Sequence, residues 1–245
     1  MPPATAVERL ARYLDAQADT DPLADDLAGW LAGSARFRRF AEAHRDKIRK
    51  KLWSAGDVEA RRDVRAELRT AHLLLEDRRI ELAFEAYGST RGGPDFTVSF
   101  RGERTFNLEV TRLHGSPEAA TYGGPLLAKL RQLPPSVPNA VLIAIEGRAA
   151  AALDVASATR TLRARADAKD DPFFAGRGLQ DSRGFYQRYL RLGAVFVACE
   201  DADGEAGASL WANPSARIPV PERAMRACLG CLRGGQEVIG LTSWK

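Results

Sequence analysis

The chain has 245 residues, 45% hydrophobic and 28% charged, which suits one large globular domain or one with a helical extension and excludes disordered, collagen-like and coiled-coil chains. No apolar run approaches the ~20 residues of a membrane helix, and the acidic start lacks the charged-then-apolar order of a signal peptide, so no membrane partner is expected. Three cysteines cannot frame a disulfide fold and point to a reducing, cytoplasmic compartment, while a net charge of +4 does not by itself name a nucleic-acid partner.

The first third reads as helix. Segments near 4–17, 23–32, 36–52 and 57–78 are rich in Ala, Leu, Arg and Glu and are punctuated by Asp-Pro, Gly-Ser and Gly-Asp. Charge is unevenly divided: residues 1–30 hold two basic against six acidic side chains, and residues 36–51 hold eight basic against two acidic. The second stretch, with Phe37, Phe40 and Trp53 close by, is a candidate to lie along a phosphate backbone through Arg36, Arg38, Arg39, Lys47, Lys50 and Lys51. The competing reading is a solvated helix face whose aromatics sit in the core.

At Arg79 the pattern changes. Residues 80–85 alternate with period two, as a strand does, and residues 88–94 form a glycine-rich loop. Residues 95–100 and 105–111 read as a hairpin around Gly102. Helix returns over 121–133, and the near-continuous apolar run 139–145 marks a buried central strand. Helices near 149–167 and 181–191 follow, then strands at 194–199 and 208–212. The order predicts an α/β core with a mixed β-sheet flanked by helices over 56–245, preceded by a helical N-terminal extension over 1–55.

The hairpin is the most informative stretch. Phe96, Val98 and Phe100 share one face of its first strand and Phe106, Leu108 and Val110 one face of its second, leaving Asp95 and Glu109 on the opposite side. A three-residue loop, Gly102-Glu103-Arg104, keeps the apolar sets together by pairing Phe100 with Phe106, Val98 with Leu108, Thr97 with Glu109 and Asp95 with Thr111. Asp95 and Glu109 are then diagonal neighbours, backbones ~7–8 Å apart, close enough to lean onto one divalent cation. On the preceding helix, Glu67 shares a stripe with Ala60, Val64, Ala71 and Leu74, where a carboxylate is costly unless paired, protonated or near a metal. The plainer reading puts Glu67 at the edge of a Val64, Leu68, Leu75 stripe, with its head in water.

The run from Glu67 through Gly93-Pro94-Asp95-Phe96 to Phe106-Asn107-Leu108-Glu109-Val110-Thr111 resembles the PD-(D/E)XK nuclease superfamily, the restriction-endonuclease-like fold. Its pattern is a helix Glu, an Asp at a strand start and an acid-x-Lys on the next hairpin strand. The resemblance covers residues 60–145 and implies a hydrolase that cuts phosphodiester bonds, most simply in DNA, with Mg2+ or Mn2+ as cofactor. It further implies that Asp95, Glu109 and the Val110 carbonyl hold a metal, and that Glu67 serves a second metal or a metal-bound water. Cutting both strands of a duplex calls for two active sites, which suggests a homodimer.

The chain departs from the pattern at Thr111, where the family has lysine, and threonine supplies no charge. Arg112 points to the opposite face of a regular strand. Lys129, between Leu126 and Leu133 on the following helix, is the candidate replacement, with Gln132 and Thr111 in support. Lys129 on its own also fits an exposed helix lysine. The alternative function, resting on Thr111, is a nuclease-like domain that binds nucleic acid or a partner protein without cutting. A third reading is a structural protein whose hairpin acids simply face solvent.

Other signals are weaker. Cys228 and Cys231 make one CxxC without the four ligands structural zinc takes, and His44, His72 and His114 show no ligand spacing. The glycine loop lacks the Lys-Ser/Thr of a phosphate-binding loop. Tyr186, Tyr189, Arg183, Arg188 and Arg191 suit either a nucleic-acid surface or a helix packing its aromatics inward.

Overall fold

A computed structural model of the chain describes residues 5–15, 22–86, 93–102, 104–113, 123–146, 154–200 and 206–234. Among the described residues five helices come first: α1 (Ala6–Leu14), α2 (Pro22–Gly33), α3 (Ala35–Ala43), α4 (Arg45–Ser54) and α5 (Val58–Leu74). Strands β1 (Ile80–Phe84), β2 (Phe96–Phe100) and β3 (Phe106–Arg112) follow, then α6 (Gly123–Leu130) and β4 (Asn139–Glu146). Helices α7 (Val155–Asp167), α8 (Asp171–Ala175) and α9 (Ser182–Tyr189) precede β5 (Leu192–Glu200), β6 (Ala206–Ala212) and α10 (Glu222–Leu232).

Capping side chains set several helix starts. Thr5 and Glu8 form a reciprocal capping box on α1, Ser34 accepts from Phe37 N at 3.1 Å, and Asp57 accepts from Ala60 N at 2.7 Å. The basic stretch is two helices, not the single one expected over 36–52. The turn falls at His44 (φ −114°, ψ 15°), whose ring packs on Phe40 and Phe84, so that Phe37 and Phe40 of α3 and Ile48 and Leu52 of α4 all reach one core.

The six strands lie in sequence order, β1 to β6, with β3–β4 and β4–β5 parallel and the remaining pairs antiparallel. A short loop suffices for each antiparallel pair, whereas the parallel pairs need the crossovers through α6 and through α7–α9. Apolar residues cover both faces. Phe96, Val98, Phe106, Leu108, Val110, Leu142 and Phe196 pack beneath α5, α10 and the N-terminal helices in one continuous cluster. Val141, Ile143, Ile145, Val195 and Val197 pack beneath α6, α7, α8 and α9 in a second. The molecule is thus an α/β protein with a mixed sheet between two helical layers. No described helix is long and apolar enough to cross a membrane.

Two sequence expectations need correction here. The hairpin register is Phe96 with Leu108, Thr97 with Asn107 and Val98 with Phe106, two residues away from the three-residue-loop pairing. Parity survives, so the apolar sets still share a face. The loop is longer: Arg101 (φ 54°) and Gly102 (φ 69°) turn the chain in left-handed conformations, and Arg101 N donates to Arg79 O at 2.8 Å, carrying the β1–β2 ladder past the last β2–β3 pair, Val98 with Phe106. The other is α10, which the sequence reading omits. Its CxxC is an i, i+3 pair on the buried side of an amphipathic helix, with both thiols free and pushed up by burial, Cys231 to about 11. The glycine-rich stretch over 87–92, His114 and residues 149–153 lie outside the described residues.

Candidate functional site

The corrected register changes the acid geometry. With Phe96 opposite Leu108, Asp95 and Glu109 stand directly across from each other, one step beyond the end of the β2–β3 ladder. Odd residues of β3 bond toward β4, as Asn107 N to Pro138 O (2.9 Å) and Leu113 N to Ala144 O (2.8 Å) show. Even residues therefore turn their N–H and C=O groups toward β2. Val110 lies past the last β2 partner, and its N–H donates to Asp95 Oδ2 at 2.9 Å. Its carbonyl shares that direction, toward the Asp95 side of the strand.

Three carboxylates meet at this end of the sheet, each from a different element. Glu67 is on the buried stripe of α5, Asp95 at the entry to β2 and Glu109 in mid-β3; they are 8%, 8% and 2% exposed. They do not face solvent, so the reading of idle surface acids is set aside. Lysines compensate them. Lys129 of α6 reaches Glu109 Oε1 at 2.5 Å. Lys51 of α4 pairs with Glu67 Oε2, reaches Asp95 Oδ1 at 3.0 Å, and has Glu85 Oε1 at 3.6 Å. Glu109 Oε2 is buried without a hydrogen-bond partner among the described residues.

The charge distribution follows from this packing. Burial, then the charge of Asp95, pushes Glu67 up to about 8 against the opposing pull of Lys51 and Lys129. Burial and Asp95 likewise push Glu109 up to about 7 against Lys129 and Lys51. Burial would lower the Lys51 ammonium, but the charges and hydrogen bonds of Glu67 and Asp95 outweigh it and hold it above the ordinary lysine range. Two ammonium groups do not fully compensate the buried acids.

The other candidates fall elsewhere. Thr111 is half-buried on the Glu109 face of β3, while Arg112 turns to the opposite face and pairs with Asp63 Oδ1 (3.0 Å) and Glu59 on α5. Gln132 is exposed, in the turn after α6. The expectation of six cations turned toward phosphate also needs correction. Arg36 donates to the carbonyls of Leu75, Asp77 and Ile80 at 2.6, 2.6 and 2.5 Å, and Arg38 to Leu31 O at 3.0 Å. Lys47 donates to Phe84 O and Glu85 O, both at 3.0 Å, and Lys51 belongs to the acid cluster. The ends of α2, α5 and β1 leave carbonyls without intra-element partners, and these long side chains satisfy them. Arg39 and Lys50 are exposed and make no hydrogen bond or ion pair among the described residues.

Helix α9 turns Phe185 and Tyr189 into the core, and Arg188 and Arg191 donate to Arg131 O and Leu133 O, both at 3.2 Å. His72 stacks on Trp30, His44 meets Phe40 and Phe84 edge-on, and burial lowers both imidazoles. No group of three or more His, Cys, Asp or Glu side chains is arranged to hold a metal ion among the described residues, and ammonium groups stand on the acids. Comparison with protein-family models, with curated proteins and with solved structures gave no match.

The sequence reading missed the role of Lys51. Part of the signal is the spacing: Lys47 and Lys51 are four residues apart on one helix face, opposite to Arg45 and Arg49, so the basic stretch is not one uniform surface, although the spacing does not name the acids Lys51 meets.

Proposed function

We propose that this chain is a metal-dependent nuclease, hydrolysing phosphodiester bonds in DNA on a restriction-endonuclease-like core and working as a homodimer on duplex substrates. The observation that carries this reading is the meeting of Glu67, Asp95 and Glu109, from three elements, with Lys129 brought onto Glu109 from a fourth. A packed core gains nothing from three buried acids, whose desolvation is costly; a reaction centre uses them.

The donor set fits a hard divalent cation. Carboxylate oxygens and a backbone carbonyl are the ligands magnesium and manganese take, and Glu109 Oε2, buried without a hydrogen-bond partner among the described residues, is an acceptor a cation could use. Asp95, Glu109 and the Val110 carbonyl would hold it, with Glu67 at a second position or on a bound water. A bound cation would supply Lewis-acid stabilisation of the phosphate and a more acidic water. The chain's own groups do the rest. The Val110 N–H fixes one oxygen of Asp95, and Lys129 brings to Glu109 the positive charge that Thr111 cannot.

Incubation with supercoiled plasmid and Mg2+ or Mn2+ tests the reading. Nicking by the wild type, lost by at least about 10²-fold in Asp95→Ala and Glu109→Ala, is expected. Binding of plasmid without cleavage in any divalent metal overturns it and leaves a non-cutting nucleic-acid-binding domain.

A further inference from the structure

We propose that Lys51 is a built-in stand-in for the divalent cation: it bridges Glu67 and Asp95 in the metal-free protein and passes to Glu85 when the cation enters. The inference rests on the metal-binding reading above and concerns a residue outside the expected ligand set.

Lys51 Nζ touches oxygens of Glu67, Asp95 and Glu85, which come from α5, the entry to β2 and the end of β1. A single ammonium group on three carboxylates of separate elements acts as a cation does, drawing the acids together where like charge would part them. Around it, Glu67, Glu85, Asp95 and Glu109 face Lys51 and Lys129. With all four acids ionised, two negative charges are left over, the charge of one divalent cation. Lys51 need not leave the site for that cation to bind, provided it gives up Asp95 Oδ1.

Glu85 is placed to receive it. Its Oε1 is already 3.6 Å from Nζ, and its backbone takes φ 44°, a left-handed conformation that non-glycine residues rarely adopt. Lys47 Nζ holds that bend through Phe84 O and Glu85 O at 3.0 Å, and Glu85 N donates to Asp95 O at 2.8 Å. A strained residue fixed from both sides turns its carboxylate toward Lys51, and the Phe84 ring, 5.4 Å from Nζ, lies beside the ammonium. The side chain of Lys51 is 25% exposed, so the ammonium is partly sheltered from water beside these acids.

Calorimetric titration of the full metal-free chain with Mn2+ alone, paired with thermal melting in chelator, tests the exchange. Lys51→Met should melt lower than wild type in chelator, gain more from Mn2+, and bind it about tenfold more tightly, since the competing cation is gone. Glu85→Gln should bind Mn2+ more weakly than wild type, because displaced Lys51 has no second partner. Arg45→Met, which removes the same charge from an exposed position of α4, should change the affinity less than about twofold. Equal Mn2+ affinity in wild type and Lys51→Met overturns the exchange; if that variant does not fold, unchanged affinity in Glu85→Gln does so. Absence of Mn2+ binding in every protein overturns the metal reading and this inference together. The expected affinities without DNA cleavage would remove the nuclease reading and leave the exchange standing.

Discussion

Lys129 Nζ stands 2.5 Å from Glu109 Oε1, joining α6 to the centre of the sheet. In the resembled family a lysine two residues after the strand acid supplies this charge; here that position is Thr111. Replacing Lys129 by Met should lower single-turnover plasmid cleavage by about 10²–10³-fold while leaving plasmid binding within a few-fold of wild type. Cleavage at the wild-type rate would mean that the Lys129–Glu109 pair is structural only.

A second expectation concerns pH. Glu67 and Glu109 are pushed up to about 8 and about 7 by burial and by Asp95, from an ordinary 4.5. Between those values the folded state keeps protons that the unfolded chain has released. Stability therefore falls as pH rises through the window and is fullest below about 4.5. His44 and His72 are lowered by burial and act the other way, adding stability as pH rises through the ordinary 6.5, an effect that fades above pH 7. Melting temperature in chelator should drop from pH 7.0 to pH 8.5, and Glu67→Gln should remove most of the drop. A flat or rising profile in the wild type refutes it.

Much of this arrangement was legible in the sequence, for identifiable reasons. Strand alternation and the apolar run at 139–145 gave the sheet, because a period of two and a doubly buried strand leave plain marks. Parity alone put Asp95 and Glu109 on one side of the hairpin. The register did not follow, because every shift by two residues preserves parity and the positive φ of Arg101 leaves no composition signal. The spacing of Leu126 and Leu133 placed Lys129 beside a buried stripe, but its contact with Glu109 depends on how α6 crosses the sheet. Arg36 and Lys51 were hidden for another reason. A lysine or arginine reads as solvated unless one knows which carbonyls and acids a distant segment leaves unpartnered; here the carbonyls taken by Arg36 lie between the end of α5 and the start of β1, and the acids met by Lys51 on α5, just past β1 and at the entry to β2.

Arg36 supplies a stability test. Its guanidinium satisfies the carbonyls of Leu75, Asp77 and Ile80, stitching the last turn of α5 to the first residue of β1. Arg36→Ala should cost about 2–4 kcal/mol in urea unfolding, since three acceptors lose a charged donor at once. DNA affinity of the folded variant should stay within about twofold of wild type. A stable variant with much weaker DNA binding would restore Arg36 to the phosphate-binding face.

The remaining prediction separates the two kinds of cation along α3 and α4. Each phosphate contact releases condensed counterions, so log affinity falls with log salt at a slope of roughly −0.9 per contact on duplex DNA. Arg39 and Lys50 are exposed, without hydrogen bonds or ion pairs among the described residues, and can give their charge to a phosphate at little cost. Arg38 is bound to Leu31 O and Lys47 to two β1-end carbonyls, so giving up those contacts to reach a phosphate would strand the acceptors. On the proposed reading, Arg39→Ala and Lys50→Ala should each reduce the salt slope by about 1 and weaken binding alike across DNA sequences, whereas Arg38→Ala should leave the slope unchanged. Fluorescence anisotropy with a labelled duplex between 50 and 200 mM salt, about the range over which such contacts are resolved, measures all three. Slopes unchanged in Arg39→Ala and Lys50→Ala would move the DNA path away from these helices, and toward whatever surface lies across the acids from Lys51.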